Sequence, residues 1–353
     1  AASDTEPGDG KYNSFLFDTM SEDSLRDLIP DDKIVLMRMQ NLYDQALVAL
    51  NLMEDFRLEE ARQVLEAISN QEALSKSNLE SQWVTGEILW VGIAARQYKL
   101  LTMGSTEFDT LIAQIDNWTL ALSIPDFMLF GDVNRGWAST EHMWDAIAYL
   151  RLKLYCDGLY GNVALEDGSV PLNSTSANRM IRGFSRGILN RMYDPETNSF
   201  TRGLDDPYQV LDANTWGIQA LIMLKETNPD AYNAMHENDA GDPVLSLKDI
   251  SIPKIFDYIE SNFRTTVRIN GHQYSNVYIG GVGAGNPVIF EWSRQVAGSY
   301  RMAADMYMKE GNADLANSYY ARAEAIEKDL KAYAVDLGIT EGYPTADRNR
   351  VQR

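Results

Sequence analysis

The strongest constraint on the fold is a helical hydrophobic period that recurs along almost the whole chain. Apolar residues follow the three- and four-residue spacing of an amphipathic helix in ten segments: 32–53, 57–71, 79–102, 106–121, 139–157, 174–192, 212–226, 249–264, 288–310 and 313–337. The segment 265–287 mixes β-branched residues with glycines and is expected to be a loop or a short hairpin. The sequence therefore predicts an all-α protein of about ten helices.

No composition change divides the helical region convincingly into two domains. The chain has 353 residues, a length that suits one large domain or two smaller ones. We expect a single helical domain over 31–345, between a polar N-terminal tail at 1–30 and a polar C-terminal tail at 346–353. The acidic segment 228–247 is predicted to be a linker within that domain.

The net charge of −20 excludes most nucleic-acid partners, because phosphate binding requires a basic face. It also argues against docking on an anionic membrane surface. The sequence contains no run of 18 uncharged apolar residues, so no membrane-spanning helix is predicted. The polar start without Met indicates an export signal already removed, or an arbitrary starting point. Of the two we expect export, which predicts a secreted, periplasmic or cell-surface protein.

Nothing in the sequence predicts a metal ion or a cofactor. The single cysteine, Cys156, cannot form an intramolecular disulfide or a zinc site and is interpreted as a buried apolar residue. The three histidines are too scattered for a zinc site. An alternative is calcium bound by Asp205, Asp206 and Asp212, since oxygen-rich loops suit this ion, but the EF-hand pattern is absent and no metal is expected. Gly280–Gly285 lacks the Lys-Ser/Thr of a phosphate loop and is expected to be a mobile loop that lines the site.

Three segments combine a carboxylate with tryptophan at a predicted helix start: Trp137–Asp145, Leu211–Gly217 and Pro287–Gln295. Their carboxylates Glu141, Asp212 and Glu291 are 71 and 79 residues apart, and each interval holds one helix pair. If successive helices alternate between up and down, every second helix begins at the same end of the protein. The three helix starts that carry these carboxylates should therefore lie together. We call the end where they meet the mouth.

Two structural interpretations of these motifs remain open. Ser139, Thr140 and Asp212 resemble N-caps, and an acidic residue in a first turn stabilises the helix dipole. Trp144 and Trp216 could simply pack inward. A fourth helix start, with Glu80 and Trp83, repeats the combination and favours a common cause.

The three motifs resemble those of bacterial (α/α) toroid proteins in the six-hairpin glycosidase superfamily. The resemblance covers about residues 32–345, although Met143–Asp145 stands where members often have Asn-Leu-Asp or Asn-Ile-Asp. A six-hairpin toroid has about twelve helices, so ten leave this chain one hairpin short of a closed ring. Glu341–Ala346 resembles the loop before the sixth inner helix, which implies either a truncated product or an open toroid of helical hairpins.

The resemblance implies glycan hydrolysis by paired carboxylates, one acting as acid and one as base. Glu141 is the first choice for the acid, with Asp212 or Glu291 as the base. Aromatic and polar neighbours are expected to bind a polysaccharide or oligosaccharide: Trp137, His142, Trp144, Asp145, Tyr208, Trp216 and Trp292. Of these, Asp145 and His142 would hold a sugar hydroxyl.

Two other functions fit the same sequence. A toroid can bind glycans or act as a scaffold without catalysis, because a fold does not fix a function. The Ala- and Tyr-rich last helix pair also resembles a tetratricopeptide-like protein-interaction module, although no 34-residue signature recurs. An enzyme should pair its carboxylates across a Trp-lined cleft, whereas an interaction module should bury those Trp side chains.

Overall fold

The computed structural model describes residues 42–70, 84–124, 128–131, 136–164, 168–170, 172–237, 243–282 and 288–336. Within these ranges the protein is mostly helical. Its eleven α-helices are α1 (Leu42–Glu54), α2 (Leu58–Ser69), α3 (Thr85–Leu101), α4 (Asp109–Ala121), α5 (Thr140–Tyr160), α6 (Ser174–Arg191), α7 (Leu211–Thr227), α8 (Pro229–Asn233), α9 (Ile252–Asn262), α10 (Phe290–Lys309) and α11 (Ala313–Asp336).

Short antiparallel sheets occupy several of the connections between helices. The strands are β1 (Ser123–Ile124), β2 (Met128–Leu129), β3 (Tyr193–Asp194), β4 (Ser199–Gly203), β5 (Asp206–Gln209), β6 (His236–Glu237), β7 (Pro243–Leu245), β8 (Arg264–Ile269) and β9 (His272–Tyr278). They pair as β1-β2, β3-β4-β5, β6-β7 and β8-β9. A 3-10 helix, Leu247–Asp249, precedes α9.

The predicted mostly helical character is confirmed, and 265–287 does contain a hairpin, β8-β9. The prediction of a linker at 228–247 is wrong, since its described part contains α8, β6 and β7. The sheet β3-β4-β5 was not predicted, because strands of two to five residues are too short to show a clear period of two. The helix start at Glu80 and Trp83, and the tail motif Glu341–Ala346, lie outside the described residues.

The contacts of the chain fall into two compact units. Of the described residues, unit 1 contains those from Leu42 to Ala138 together with those in Asp145–Phe184, and unit 2 contains Ser139–Trp144 and those from Ser185 to Asp336. Helices α5 and α6 therefore each begin in one unit and end in the other. Among the described helices, none is both long enough and apolar enough to cross a bilayer.

In unit 1, α3 and α5 run parallel. A Cβ atom on Gly92 would lie 2.6 Å from the Tyr149 ring, and one on Gly104 would lie 2.7 Å from the Tyr160 ring. The later glycine, Gly104, contacts the later tyrosine, Tyr160, so the two helices run in the same direction. The glycine at position 92 therefore lets the two backbones approach closely around the Tyr149 side chain. Helix α1 also contacts α3, with the Tyr43 and Trp90 rings 5.6 Å apart.

A cluster of four charged side chains is buried between α3, α4 and α5. Arg96, Asp116 and Lys153 are all 0 % exposed. Arg96 Nη2 donates to both Asp116 oxygens at 2.9 and 2.8 Å. Lys153 Nζ lies 3.1 Å from Asp116 and 2.7 Å from Asp157. The two cations and two anions balance, which is the condition under which charges can be buried at all.

Tyr149 completes this cluster. Its hydroxyl donates to Asp116 Oδ1 at 2.6 Å, and the Arg96 guanidinium lies 5.2 Å from its ring centroid. Burial raises the pKa of Tyr149 well above its usual value, so the phenol remains a hydrogen-bond donor at neutral pH. The cluster thus ties three helices together through contacts of fixed direction.

In unit 2, a second polar network joins β9 to α9, α10 and α11. Glu260 Oε1 accepts hydrogen bonds from Tyr278 at 2.7 Å and Tyr300 at 2.9 Å. Arg322 of α11 donates to both Glu260 oxygens, at 3.0 and 2.7 Å. Burial raises the pKa of both tyrosines, which keeps them protonated as donors to the carboxylate.

We predict that Lys153→Met strongly destabilises the protein. The substitution keeps the apolar stem but leaves the buried Asp116 and Asp157 carboxylates with one cation instead of two. Removing one partner of a buried ion pair costs about 3–5 kcal/mol. Urea unfolding measures the change in free energy. The control, Lys254→Met, alters an exposed lysine and should stay within about 0.5 kcal/mol of the parent; equal effects of the two variants would contradict this prediction.

Candidate functional site

Backbone pairing holds the starts of α7 and α10 side by side. Val210, the residue before α7, forms an antiparallel bridge with Gly281. Val288, which precedes α10, forms an antiparallel bridge with Ile279. Because the two bridges lie two residues apart on one short segment, the two helices begin next to each other.

Side-chain contacts show that α7 and α10 then continue in parallel. They join Thr215 Oγ1 to Gln295 Oε1 at 3.1 Å, Gln219 Nε2 to Ser299 Oγ at 3.1 Å, and Lys225 to Glu310 in an ion pair. The partners are separated by 80, 80 and 85 residues in the sequence. A nearly constant separation requires both helices to run in the same direction. The interval of 79 residues between Asp212 and Glu291 belongs to the same register.

The first turn of α5 lies against β4 and α7 within unit 2. Ser139 forms an antiparallel bridge with Gly203 at the end of β4. The Trp144 ring packs edge-on against Phe200 of β4, with ring centroids 5.3 Å apart. A Cβ atom on Gly217 would lie 2.5 Å from the Phe200 ring and 3.3 Å from Trp144 Nε1. The starts of α5, α7 and α10 are therefore brought together, and they form the mouth.

Each of these three helices carries a carboxylate in its first turn: Glu141, Asp212 and Glu291. Asp212 is buried, with 5 % of its surface exposed, whereas Glu141 and Glu291 are half-buried. A first-turn carboxylate is stabilised by the helix dipole. The half-buried positions leave two of the three carboxylates accessible to a ligand.

The N-cap interpretation holds only in part. The residues at the N-cap positions of α7 and α10 are Val210 and Ile289, and neither helix start has a side-chain cap hydrogen bond. Asp212 lies inside the first turn, where its Oδ1 accepts from the Ala213 amide at 2.7 Å. One Asp212 oxygen thus satisfies an amide of the helix end.

His142 is neutral at physiological pH. The residue is 7 % exposed, and burial lowers the pKa of its imidazole to about 4. A neutral imidazole can donate from one nitrogen and accept at the other, which suits hydroxyl binding better than proton transfer at pH 7. Asp145 is also buried but belongs to unit 1.

Tyr208 and Trp292 lie on the glycines that connect to α10. The Tyr208 ring is 38 % exposed, and a Cβ atom on Gly281 would lie 2.5 Å from its hydroxyl. The Arg202 guanidinium lies 5.4 Å from the Tyr208 ring centroid. Trp292 is half-buried, and a Cβ atom on Gly280 would lie 2.7 Å from its ring. Glycine at 280 and 281 thus allows two aromatic rings to rest on the backbone.

The other tryptophans of the motifs are placed differently. Trp144 is 1 % exposed, so its proposed role as a surface on which a sugar stacks is wrong, and the inward-packing alternative applies to it. Trp137 is 42 % exposed but belongs to unit 1, where its ring packs on Gly131. Trp216 is half-buried.

Sequence reasoning missed the residue that joins β4 to α7. Asn214 is 0 % exposed; its side chain accepts from the Phe200 amide at 2.8 Å and donates to the Phe200 and Val210 carbonyls at 3.1 and 2.8 Å. The sequence signal for this role was a polar asparagine within an otherwise apolar helical segment, which indicates a buried side chain that needs hydrogen-bond partners. The expectation of a mobile loop at 280–285 is corrected for Gly280–Val282, whose backbone pairs with 209–211; 283–285 lies outside the described residues.

No family model, curated protein or solved structure matches this chain. In the part of the chain that the structure describes, no three His, Cys, Asp or Glu side chains are placed to share a metal ion. In the acidic loop, Asp206 Oδ2 accepts from Arg202 Nε at 2.7 Å. The geometry of the mouth is therefore the basis for a functional proposal.

We predict opposite effects for two glycine-to-alanine substitutions in the helices of the mouth. Gly217→Ala places a methyl group against the Phe200 ring and should destabilise the protein by about 1–3 kcal/mol, despite the higher helix propensity of alanine. Gly298→Ala adds a methyl group with no atom within 4 Å and should stabilise it by about 0.5–1 kcal/mol. Urea unfolding measures both, and a stabilising Gly217→Ala would mean that α5, β4 and α7 do not meet as described.

Proposed function

We propose that this chain is a carbohydrate-active protein, and specifically a glycoside hydrolase, that binds a polysaccharide or oligosaccharide at the mouth. One observation carries the proposal: three helix starts, each with a first-turn carboxylate, meet beside Tyr208 and Trp292. Sugar rings offer apolar faces that stack on aromatic side chains, and their hydroxyls bond to carboxylates. Cleavage of the glycosidic bond requires two such carboxylates flanking it.

The proposal includes an (α/α) toroid of helical hairpins, as in the six-hairpin glycosidase superfamily. Its support is the parallel direction of alternate helices within each unit. In unit 1 these are α3 and α5, and in unit 2 they are α7 and α10. A ring of hairpins needs parallel inner helices, because only then do their N-termini reach one end together. An exported location, periplasmic or at the cell surface, belongs to the same proposal because polysaccharides are met outside the cell.

In the proposed reaction, Glu141 protonates the leaving oxygen while Glu291 or Asp212 activates water. Glu291 is the preferred base, because it is only half-buried and can be reached by water. Asp212 is buried, and its Oδ1 accepts a hydrogen bond from the Ala213 amide at 2.7 Å. Neutral His142 is assigned to binding a sugar hydroxyl.

A second candidate is a glycan-binding protein without catalysis. It is favoured by the aromatic platform of Tyr208 and Trp292, whose rings rest on Gly281 and Gly280, because stacking on these rings can hold a glycan whether or not the carboxylates act on it. Binding and hydrolysis assays on the same panel separate the two candidates.

We predict that the protein releases reducing ends from at least one polysaccharide in a panel. Glu141→Gln should lower kcat about 10²–10⁴-fold, the usual contribution of a general acid, and Glu291→Gln should lower it similarly. The matched control is Asp314→Asn, which removes an exposed first-turn carboxylate from α11 and should leave kcat unchanged.

Three outcomes separate the candidates. Unchanged activity in Glu141→Gln would remove Glu141 from the acid role. Binding by calorimetry without any reducing-end release would favour the non-catalytic candidate. Loss of activity in Asp314→Asn to the same extent would show that the effects come from charge in general rather than from the mouth.

A further inference from the structure

Three described helices end in the same hydrogen-bonded turn. In α1 the Arg57 amide donates to the Leu52 carbonyl at 2.8 Å, and in α3 the Gly104 amide donates to the Lys99 carbonyl at 2.8 Å. In α10 the Asn312 amide donates to the Tyr307 carbonyl at 2.9 Å. In each turn this hydrogen bond joins residues five apart and encloses a second bond between residues three apart. The two bonds define the Schellman motif, which needs one residue in the left-handed conformation.

The residues in that left-handed position differ in kind. In α10 it is Gly311, with φ +81°, which is the common choice because glycine has no Cβ atom to clash. In α1 and α3 it is Phe56, with φ 58°, and Met103, with φ 53°. The other described non-glycine residues with positive φ are Asn198, Asp205 and Asn270, residue types that tolerate this conformation.

Phe56 and Met103 are also the most exposed large apolar side chains among the described residues. Phe56 is 82 % exposed and Met103 is 86 % exposed. Each therefore strains the backbone and leaves most of its apolar surface exposed. A glycine would serve the turn better, so packing within the described part of the chain does not account for either side chain. Strained residues that the fold does not require point to function.

The two side chains belong to one surface of unit 1. Arg62 of α2 donates to Glu107, just before α4, at 3.2 Å, so the α1-α2 turn lies next to the α3-α4 connection. Beyond Met103, the Tyr160 ring at the end of α5 packs on Gly104. Leu159 and Tyr160 are 54 % and 37 % exposed. We call the patch formed by Phe56, Met103, Leu159 and Tyr160 the hairpin-end surface.

The rim of the hairpin-end surface is acidic. Arg62 is shared among Glu59, Glu66 and Glu107, and Arg57 pairs with Glu60. Glu54 and Asp55 beside Phe56 are exposed as well. Six carboxylates thus surround two guanidinium groups, and the rim has an excess of negative charge. Like charges would oppose an anionic lipid surface and a second copy of this same face.

We propose that the hairpin-end surface is a docking site for a partner protein whose contact face is apolar at its centre and basic at its rim. Phe56 and Met103 insert into the apolar centre, where they act as anchors. The acidic rim pairs with the basic residues and steers the approach. The site is in unit 1 and does not depend on the function of the mouth in unit 2.

The test combines binding and stability in the double variant Phe56→Gly/Met103→Gly. The probe is a fluorescein-labelled, 18-residue amphipathic helix of leucine and lysine, followed by fluorescence anisotropy in 150 mM NaCl. The parent should bind it, and the double variant should bind at least tenfold more weakly. The Tm of the double variant should be about 2–4 °C higher, because glycine relieves the left-handed strain. A merely structural pair of side chains would not produce a more stable, weaker-binding protein.

The matched control is Met235→Gly, which removes another exposed methionine, 56 % accessible, from a residue without positive φ in unit 2. It should bind the peptide like the parent and gain no stability. Equal affinity of the parent and the double variant, no binding by the parent, or a lower Tm in the double variant would each overturn the proposal.

Two further arms distinguish other occupants. Cosedimentation with phosphatidylcholine vesicles that is lost in the double variant would overturn a protein partner in favour of a lipid surface. A dimer in sedimentation velocity that is lost in the double variant would overturn it in favour of a second copy. Absence of both effects, with peptide binding that depends on Phe56 and Met103, supports the proposal.

Discussion

The backbone pairing that precedes α5, α7 and α10 is the constraint on which the mouth depends. Each of these helices leaves a short extended segment, and bridges at Ser139, Val210 and Val288 fix where it starts. The bridge residue Val210 is the N-cap of α7, and Ile289, the residue after the bridge at Val288, is the N-cap of α10. Because neither side chain can cap a helix, first-turn carboxylates meet the helix dipoles instead. The same device that positions the helices therefore also leaves negative charge at the mouth.

In unit 1, a buried charged cluster determines how the helices pack together. Arg96, Lys153 and their two aspartates join α3, α4 and α5, and such a cluster costs desolvation that a purely apolar core would not. Its hydrogen bonds have fixed directions and join all three helices, which favours their observed alignment. A core aligned in this way can hold Phe56 and Met103 in strained turns at the ends of α1 and α3, since the remaining structure determines where those turns lie.

The sequence predicted the helices well and the site less well, for physical reasons. A helix that buries one face has apolar residues at helical spacing, and this pattern is visible within the segment itself, as in α7 and α10. The short strand β4 has no such pattern, and its contact with Asn214 depends on a neighbour 14 residues away. From the sequence alone, Trp144 in the motif at α5 could face either way. Its burial and its contact with the Phe200 ring, beside the glycine at position 217, show that it points inward.

The most direct measurement of the central claim is the distance between spin labels at Glu141→Cys and Glu291→Cys, with Cys156 replaced by serine, by double electron–electron resonance. Helices α5, α7 and α10 that begin side by side, with axes about 8–10 Å apart, place the two labels about 20 Å apart. Helix α10 has 20 residues and is about 30 Å long. A distance distribution centred at about 30 Å or more would put the two helix starts at different ends and contradict the shared mouth.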